Sequence, residues 1–178
     1  ELKMKNKSTE VLSVKNLKKS FILHNQNSIE LAVFNNISFS LSKGECLVLA
    51  GSSGTGKSTL LRSIYANYLT HFGEINIYHN QSWINLVGAP PHLILDVRKL
   101  TLGYVSQFLR VIPRISTLDL VAEPLLSRGE TEINSIDQAK DILKKLAIPA
   151  NLWDLPPATF SGGEQQRVNI AITFVRDL

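Results

Sequence analysis

Gly51-Ser52-Ser53-Gly54-Thr55-Gly56-Lys57-Ser58 satisfies the pattern G-x-x-x-x-G-K-[ST] at every position. Each residue type in it answers a physical need. Glycines let the backbone wrap tightly enough for successive N–H groups to point inward at phosphate oxygens. A helix starting near Lys57 adds the positive end of its dipole and its unpaired N–H groups. In such a loop the Lys57 ammonium reaches the β- and γ-phosphates and the Ser58 hydroxyl ligates Mg²⁺, while Thr59 hydrogen-bonds a phosphate nearer the base. The flanks agree: Cys46-Leu-Val-Leu-Ala50 reads as a strand buried on both faces, and Leu60, Leu61, Ile64, Tyr65 and Tyr68 fall at helical spacings. The bland alternative is a glycine–serine loop that merely precedes a helix. With glycine at about 7% of residues, a chance match in a chain this long is of order one in a hundred. Residues Gly51 to Thr59 are therefore the expected binding site for a nucleoside triphosphate and its Mg²⁺.

On the N-terminal side, Val11–Leu17 and Ile37–Leu41 alternate as half-buried strands do, with Asn25–Ser28 and Ser42–Glu45 as turns. On the C-terminal side, Gly73 leads into an alternating strand at Glu74–Tyr78, with Trp83–Val87 as its partner, and Leu100–Val105 is a further strand candidate. After Gln107 the chain reads as helical. Ser135-x-x-Gln138 is a capping box, and Ile136, Ala139, Leu143 and Leu146 line one face behind it. Lys140, Asp141, Lys144 and Lys145 form the solvated side of that helix rather than a docking patch. Pro149, Pro156 and Pro157 break the next connection. The order is α/β: strands in front, helices behind, with one strand-to-helix junction near residue 50.

Composition narrows the class. The 178 residues are 44% apolar and 19% charged, which supports a core and excludes a disordered chain. The net charge of +4 and pI near 9.2 suit an anionic ligand but are too modest to argue for nucleic acid. The single cysteine, Cys46, forms no internal disulfide, so a reduced cytoplasmic compartment is expected. No apolar run approaches the roughly 18 residues of a membrane span. Collagen, coiled coil, secreted disulfide knot and integral membrane protein are excluded.

A second glycine motif, Phe160-Ser161-Gly162-Gly163-Glu164-Gln165-Gln166-Arg167-Val168, opens another helix. Ser161, Gly162 and Gly163 there form an anion-facing surface with room for close backbone approach; alone, the turn reads sooner as an ordinary helix start, a capping box of Ser161 and Glu164. With the phosphate loop beside it, the chain resembles the ATP-binding-cassette (ABC) ATPases, whose signature L-S-G-G-Q appears as Phe160 to Glu164. Tyr104-Val-Ser-Gln107 is similar to that family's Q-loop, and Phe21, after Leu17-Lys-Lys-Ser, matches its adenine-stacking aromatic.

The resemblance implies a P-loop NTPase fold of the ABC type: a core mixed sheet with an antiparallel β lobe, plus a helical lobe. It implies one incomplete nucleotide-binding domain over 1–178, with the β lobe and P-loop core at 8–109 and the helical lobe with its signature helix at 110–174. ATP and Mg²⁺ are the implied cofactors, with Gln107 beside Ser58 at the metal. Ser161, Gly162, Gly163, Glu164 and Gln165 would contact ATP held by a second, head-to-tail ABC protomer. The segments Arg62–Tyr68, Val105–Arg114 and Thr159–Ala171 look, more narrowly, like the L-subunit family of the bacterial carbon–phosphorus lyase system, which implies soluble phosphonate enzymes as partners. The alternative is the cytosolic ATPase of a membrane transporter of the lipoprotein-release or macrolide-export type. A small-molecule P-loop kinase leaves the motif at 160–168 unexplained.

The family's apolar strand ending in Asp-Glu (Walker B) and its switch histidine are expected to lie outside this chain. His24, His71, His79 and His92 all precede the signature and are expected as surface or loop residues. The expectation is an incomplete cassette that binds ATP and hydrolyses it poorly. Cys46 is expected to pack in the core rather than do redox chemistry. Phenylalanine at 160 replaces the usual leucine, a tolerable apolar exchange, and Ile172 replaces a common arginine.

Overall fold

The computed structural model describes residues 10–23, 29–70, 72–107, 109 and 113–176. Contacts divide the chain into two compact units, residues 1–101 and 102–178.

The first unit holds β1 (Glu10–Leu23), β2 (Ile29–Ser42), α1 (Lys57–Ile64), β3 (Phe72–His79), β4 (Ser82–Asn85) and α2 (Pro91–Leu100). Its sheet is antiparallel throughout, in the order β2-β1-β3-β4. Val14 and Leu17 of β1 and Ile75 and Ile77 of β3 form the buried face. β1 and β2 run well past the alternating stretches, because register slips around Leu17 and left-handed residues at Asn16 and Asn36 interrupt the two-residue period. Gly73 shows why a glycine opens β3: a Cβ there would lie 2.6 Å from the Leu17 Cα and the Lys15 carbonyl oxygen, at φ +90°. The expected turn at Ser42–Glu45 forms, closed by the Glu45 amide on the Ser42 carbonyl at 3.0 Å. Trp83 does pair with β3, opposite Tyr78, across a two-residue Asn80-Gln81 turn with positive φ at both positions.

Three sequence expectations change here. Cys46–Ala50 is not a buried strand: no described strand runs beside it, and Val48 is 79% exposed, with Cys46 exposed as well. Apolar composition alone cannot make a strand without a ladder partner. Leu100–Val105 is not a strand either, because Leu100 closes α2 and residues 102–106 are irregular. α1 stops at Ile64 and does not run on to Tyr68. Its end is a Schellman closure, with Asn67 N–H on the Arg62 carbonyl at 2.8 Å, Ala66 N–H on the Ser63 carbonyl at 2.9 Å, and Ala66 left-handed. The turn expected at Asn25–Ser28, together with His24 and His71, lies outside the described residues.

His79, expected at the surface, is 3% exposed. Its Nε2 meets the Asp96 carboxylate at 2.8 Å and its Nδ1 the Thr101 hydroxyl at 2.5 Å, so it pins β3 to α2. His92 is exposed as expected.

The second unit is helical as read: α3 (Thr117–Leu126), α4 (Glu132–Lys145) and α5 (Gly162–Phe174). Val121, Ala122 and Leu125 of α3, Ala139 and Leu143 of α4, and Val168 and Ala171 of α5 share one core with Ile148, Phe160 and Val175. Burying a side chain of Leu143's size stabilises by about 1.5–3 kcal/mol. α4 begins earlier than the capping box at Ser135 suggested. Thr131 is the N-cap, and Ser135 is buried with its hydroxyl on the Thr131 carbonyl at 2.9 Å. Its outer face carries Asp137–Lys140 and Asp141–Lys144 pairs at 3.9 Å, as a solvated side should. The Pro149–Phe160 connection forms two 3₁₀ turns that cross the start of α3, where Thr117 donates its amide and hydroxyl to the Leu155 carbonyl.

Candidate functional site: a phosphate cradle and a signature turn

The loop at 51–56 leads into α1 through Gly56, left-handed at φ +88°. A Cβ at Gly56 would lie 2.7 Å from Val33 Cγ1, so this glycine is what lets the loop lie against β2. Phe34, Ile37, Leu49, Ala50 and Leu60 line an apolar hollow behind it. The outer side is open: Gly51, Ser52, Ser53, Gly54, Thr55 and Ser58 are exposed, and Lys57 and Thr59 are half-buried.

The Lys57 ammonium curls back over its own loop. It donates to the carbonyls of Gly51 at 2.8 Å and Ser52 at 2.6 Å, and to the Thr55 hydroxyl at 3.3 Å. Three oxygens around one ammonium are the coordination that phosphate oxygens provide, so a triphosphate fits by exchanging acceptors. The exposed Ser58 hydroxyl, in the first turn of the same helix, suits a hard cation such as Mg²⁺.

In the second unit Ser161 caps α5. Its hydroxyl accepts from the Glu164 amide at 3.4 Å and donates to the Glu164 carboxylate at 2.7 Å, while the Ser161 amide donates to that carboxylate at 2.9 Å. These bonds, the hydroxyl's first and then the amide's, with Arg167 nearby, hold the Glu164 carboxyl below the usual carboxylate range. The capping-box reading and the signature reading thus describe the same turn. Gln165 turns inward, its Nε2 on the Phe160 carbonyl at 3.2 Å. Gly162 and Gly163 differ from Gly56 and Gly73. A Cβ on Gly162 would meet nothing within 4 Å, and one on Gly163 only the tip of Arg167 at 3.9 Å. Nothing within the described residues demands glycine at either position.

Gln107 is exposed, in irregular backbone. The residue before it is held: Asn169 of α5, 7% exposed, donates to the Ser106 carbonyl at 2.6 Å and lies 3.3 Å from its hydroxyl. The sequence reading missed Asn169, because an asparagine inside a helix carries no spacing signal. Phe160, in place of the signature leucine, is buried in the core, and Ile172 packs against the same core, which accounts for both departures. Phe21 lies on β1, with its ring edge-to-face against Tyr68.

The family profile described as ABC transporter matches residues 34–178. This chain belongs to the ABC transporter family. As an ABC-type ATPase cassette it is 35% identical over 169 residues to the uncharacterized ABC transporter ATP-binding protein YbbA of Escherichia coli (strain K12), covering 92% of this chain and 68% of YbbA. It is 30% identical over 153 residues to the lipoprotein-releasing system ATP-binding protein LolD of Bordetella pertussis (strain Tohama I), covering 86% of this chain and 64% of LolD. The dimeric structure of MJ0796, a bacterial ABC transporter cassette, superposes with a TM-score of 0.83 at 25% identity, over 93% of this chain and 70% of that one. This cassette spans about two thirds of the length of these relatives. Among its described residues no helix is long and apolar enough to cross a membrane, and no group of three or more His, Cys, Asp or Glu is placed to hold a metal.

Proposed function

We propose that this ABC cassette binds MgATP in the cradle of Gly51 to Thr59, with Phe21 stacking on the base. We further propose that it works in the cytoplasm as one half of a head-to-tail pair, in which Ser161, Gly162, Gly163, Glu164 and Gln165 face the nucleotide of a second protomer. Gln107 serves as the Q-loop glutamine. The carrying observation is the pair Gly162–Gly163. Glycine is a poorer helix former than alanine, and no neighbour among the described residues requires it at either position. A surface that another phosphate-bearing body must approach closely does require it.

Bound MgATP supplies the charge that Lys57 and the α1 N-terminus neutralise. The residues of this chain bind and orient: Lys57 leaves its three loop acceptors for phosphate oxygens, and Ser161 presents its hydroxyl at the signature turn. Calorimetry with MgATP tests the cradle. Lys57→Ala should weaken binding by roughly ten- to a hundredfold, the worth of hydrogen bonds between charged groups, and unchanged affinity would remove the basis of this reading.

The finer assignment we favour is an ATP-binding subunit serving bacterial phosphonate breakdown by the carbon–phosphorus lyase system. The segments 62–68, 105–114 and 159–171 support it, since they extend past the residues that nucleotide chemistry needs. A second reading, the ATPase of a membrane transporter of the lipoprotein-release type, is favoured by the likeness to YbbA and LolD. Affinity purification separates them. Recovery of soluble phosphonate enzymes supports the first reading, and recovery of a membrane subunit supports the second.

A further inference from the structure

The segment that follows α1, Tyr65 to Leu69, is gripped from three elements. Arg62 of α1 donates to the Tyr68 hydroxyl at 2.8 Å, with its guanidinium 5.7 Å from the ring centre. Arg98 of α2 donates to the Tyr65 carbonyl at 3.0 Å and to Asn67 Oδ1 at 2.8 Å. Lys19 of β1 donates to the Leu69 carbonyl at 2.7 Å. A connection that had only to reverse the chain is already closed by the backbone bonds of Ala66 and Asn67. The further ties hold the Tyr68 ring in place.

That ring meets a second aromatic. Tyr68 and Phe21 stand edge-to-face, with centroids 5.5 Å apart and planes at 87°, a favoured arrangement of two ring quadrupoles. The Lys19 ammonium, anchored on Leu69, lies 4.8 Å from the Phe21 centroid. Phe21 thus has an aromatic ring against it on one side and a cation over its own ring. A cation over a ring is held by weak electrostatics, and a purine stacked on the same ring gains comparable or greater energy.

We propose that Tyr68, braced by Arg62, is a positioning residue that sets the plane of Phe21 for a purine base, and that Lys19 keeps the ring covered until the base arrives. The inference rests on the reading of Phe21 as the stacking aromatic. Arg62 lies on the same short helix whose first turn carries Lys57 and Ser58, so one element serves both the phosphate and the base end.

The test compares calorimetric affinities for MgATP and for magnesium tripolyphosphate, which lacks a base. Phe21→Ala should lower the preference for MgATP by roughly five- to a hundredfold, the usual cost of losing a base–aromatic stack. Tyr68→Ala should lower it by roughly three- to tenfold while leaving tripolyphosphate within about twofold, a fraction of the full stacking term. Tyr68→Phe and Arg62→Ala, which keep the ring but cut the brace, should fall between wild type and Tyr68→Ala, and they carry the test if Tyr68→Ala does not fold. An unchanged preference in Phe21→Ala sinks the stacking reading itself. A lowered preference in Phe21→Ala with wild-type behaviour in the Tyr68 and Arg62 variants overturns the positioning role alone. Equal weakening of both ligands in those variants overturns it too, since it marks Tyr68 as merely structural.

Discussion

Ala66 and Ala147 hold the same place at the ends of two helices, each left-handed and each inside a Schellman closure; at α4 the Ile148 amide reaches the Leu143 carbonyl at 3.0 Å. A left-handed L-residue is strained by roughly 1–2 kcal/mol, and glycine recovers most of that after its own entropy cost. Ala147→Gly should therefore raise stability by about 0.5–1 kcal/mol in urea unfolding. Glu164 gives a pH-dependent counterpart. Because its folded-state pKa is depressed, the stability it contributes is present above the unfolded value and is lost as pH falls through the folded one. Glu164→Gln should flatten the stability profile as pH falls below the ordinary glutamate range, and the two proteins should converge once pH is below the folded-state value; parallel profiles would contradict the bonds at Ser161. The candidate cradle could be picked out at this scale because phosphate binding, as proposed for it, demands particular residue types at fixed short spacing. The strained alanines were not, since alanine has no preference for that conformation and only the packing beyond the helix imposes it.

Among the elements, α5 has two features of note. Its first turn is the proposed signature, and one side of its body, through Asn169, grips the backbone just ahead of Gln107. Asn169→Ala should cost about 0.5–1.5 kcal/mol by removing a part-buried hydrogen bond to the Ser106 carbonyl. Amide exchange should show where: protection is lost at residues 102–107, while α4 is unaffected. Loss spread evenly over the unit would mean that the bond does not hold that segment in particular. Element types were readable wherever the period was unbroken, as in α4 and in the β3–β4 pair. α2 escaped because its only strong marker is Pro91 in the first turn, and β1 was underestimated because bulges break its alternation. Cys46–Ala50 was misjudged for the opposite reason, since its apolar run is clear but no described strand offers it a ladder.

At the scale of the whole cassette, the glycines separate what folding needs from what function needs. Gly56 and Gly73 have backbone or side-chain neighbours where a Cβ would go, and Gly162 does not. Gly162→Ala should accordingly leave the melting stability of the single chain unchanged or raise it by a few tenths of a kcal/mol, less than the roughly 1 kcal/mol of a helix interior because Gly162 opens the helix, while weakening any MgATP-dependent pairing seen by light scattering. Pairing that survives the substitution intact would argue against a trans contact at this turn. The order of strands before helices, the phosphate loop and the signature turn came from sequence alone, because each depends on residues close together along the chain. Tertiary structure decided the antiparallel order of the sheet, the burial of His79, the hold of Asn169 on Ser106 and the edge-to-face contact of Phe21 with Tyr68. Each of those joins residues far apart in sequence, where composition and period carry no record of which partner a side chain will meet.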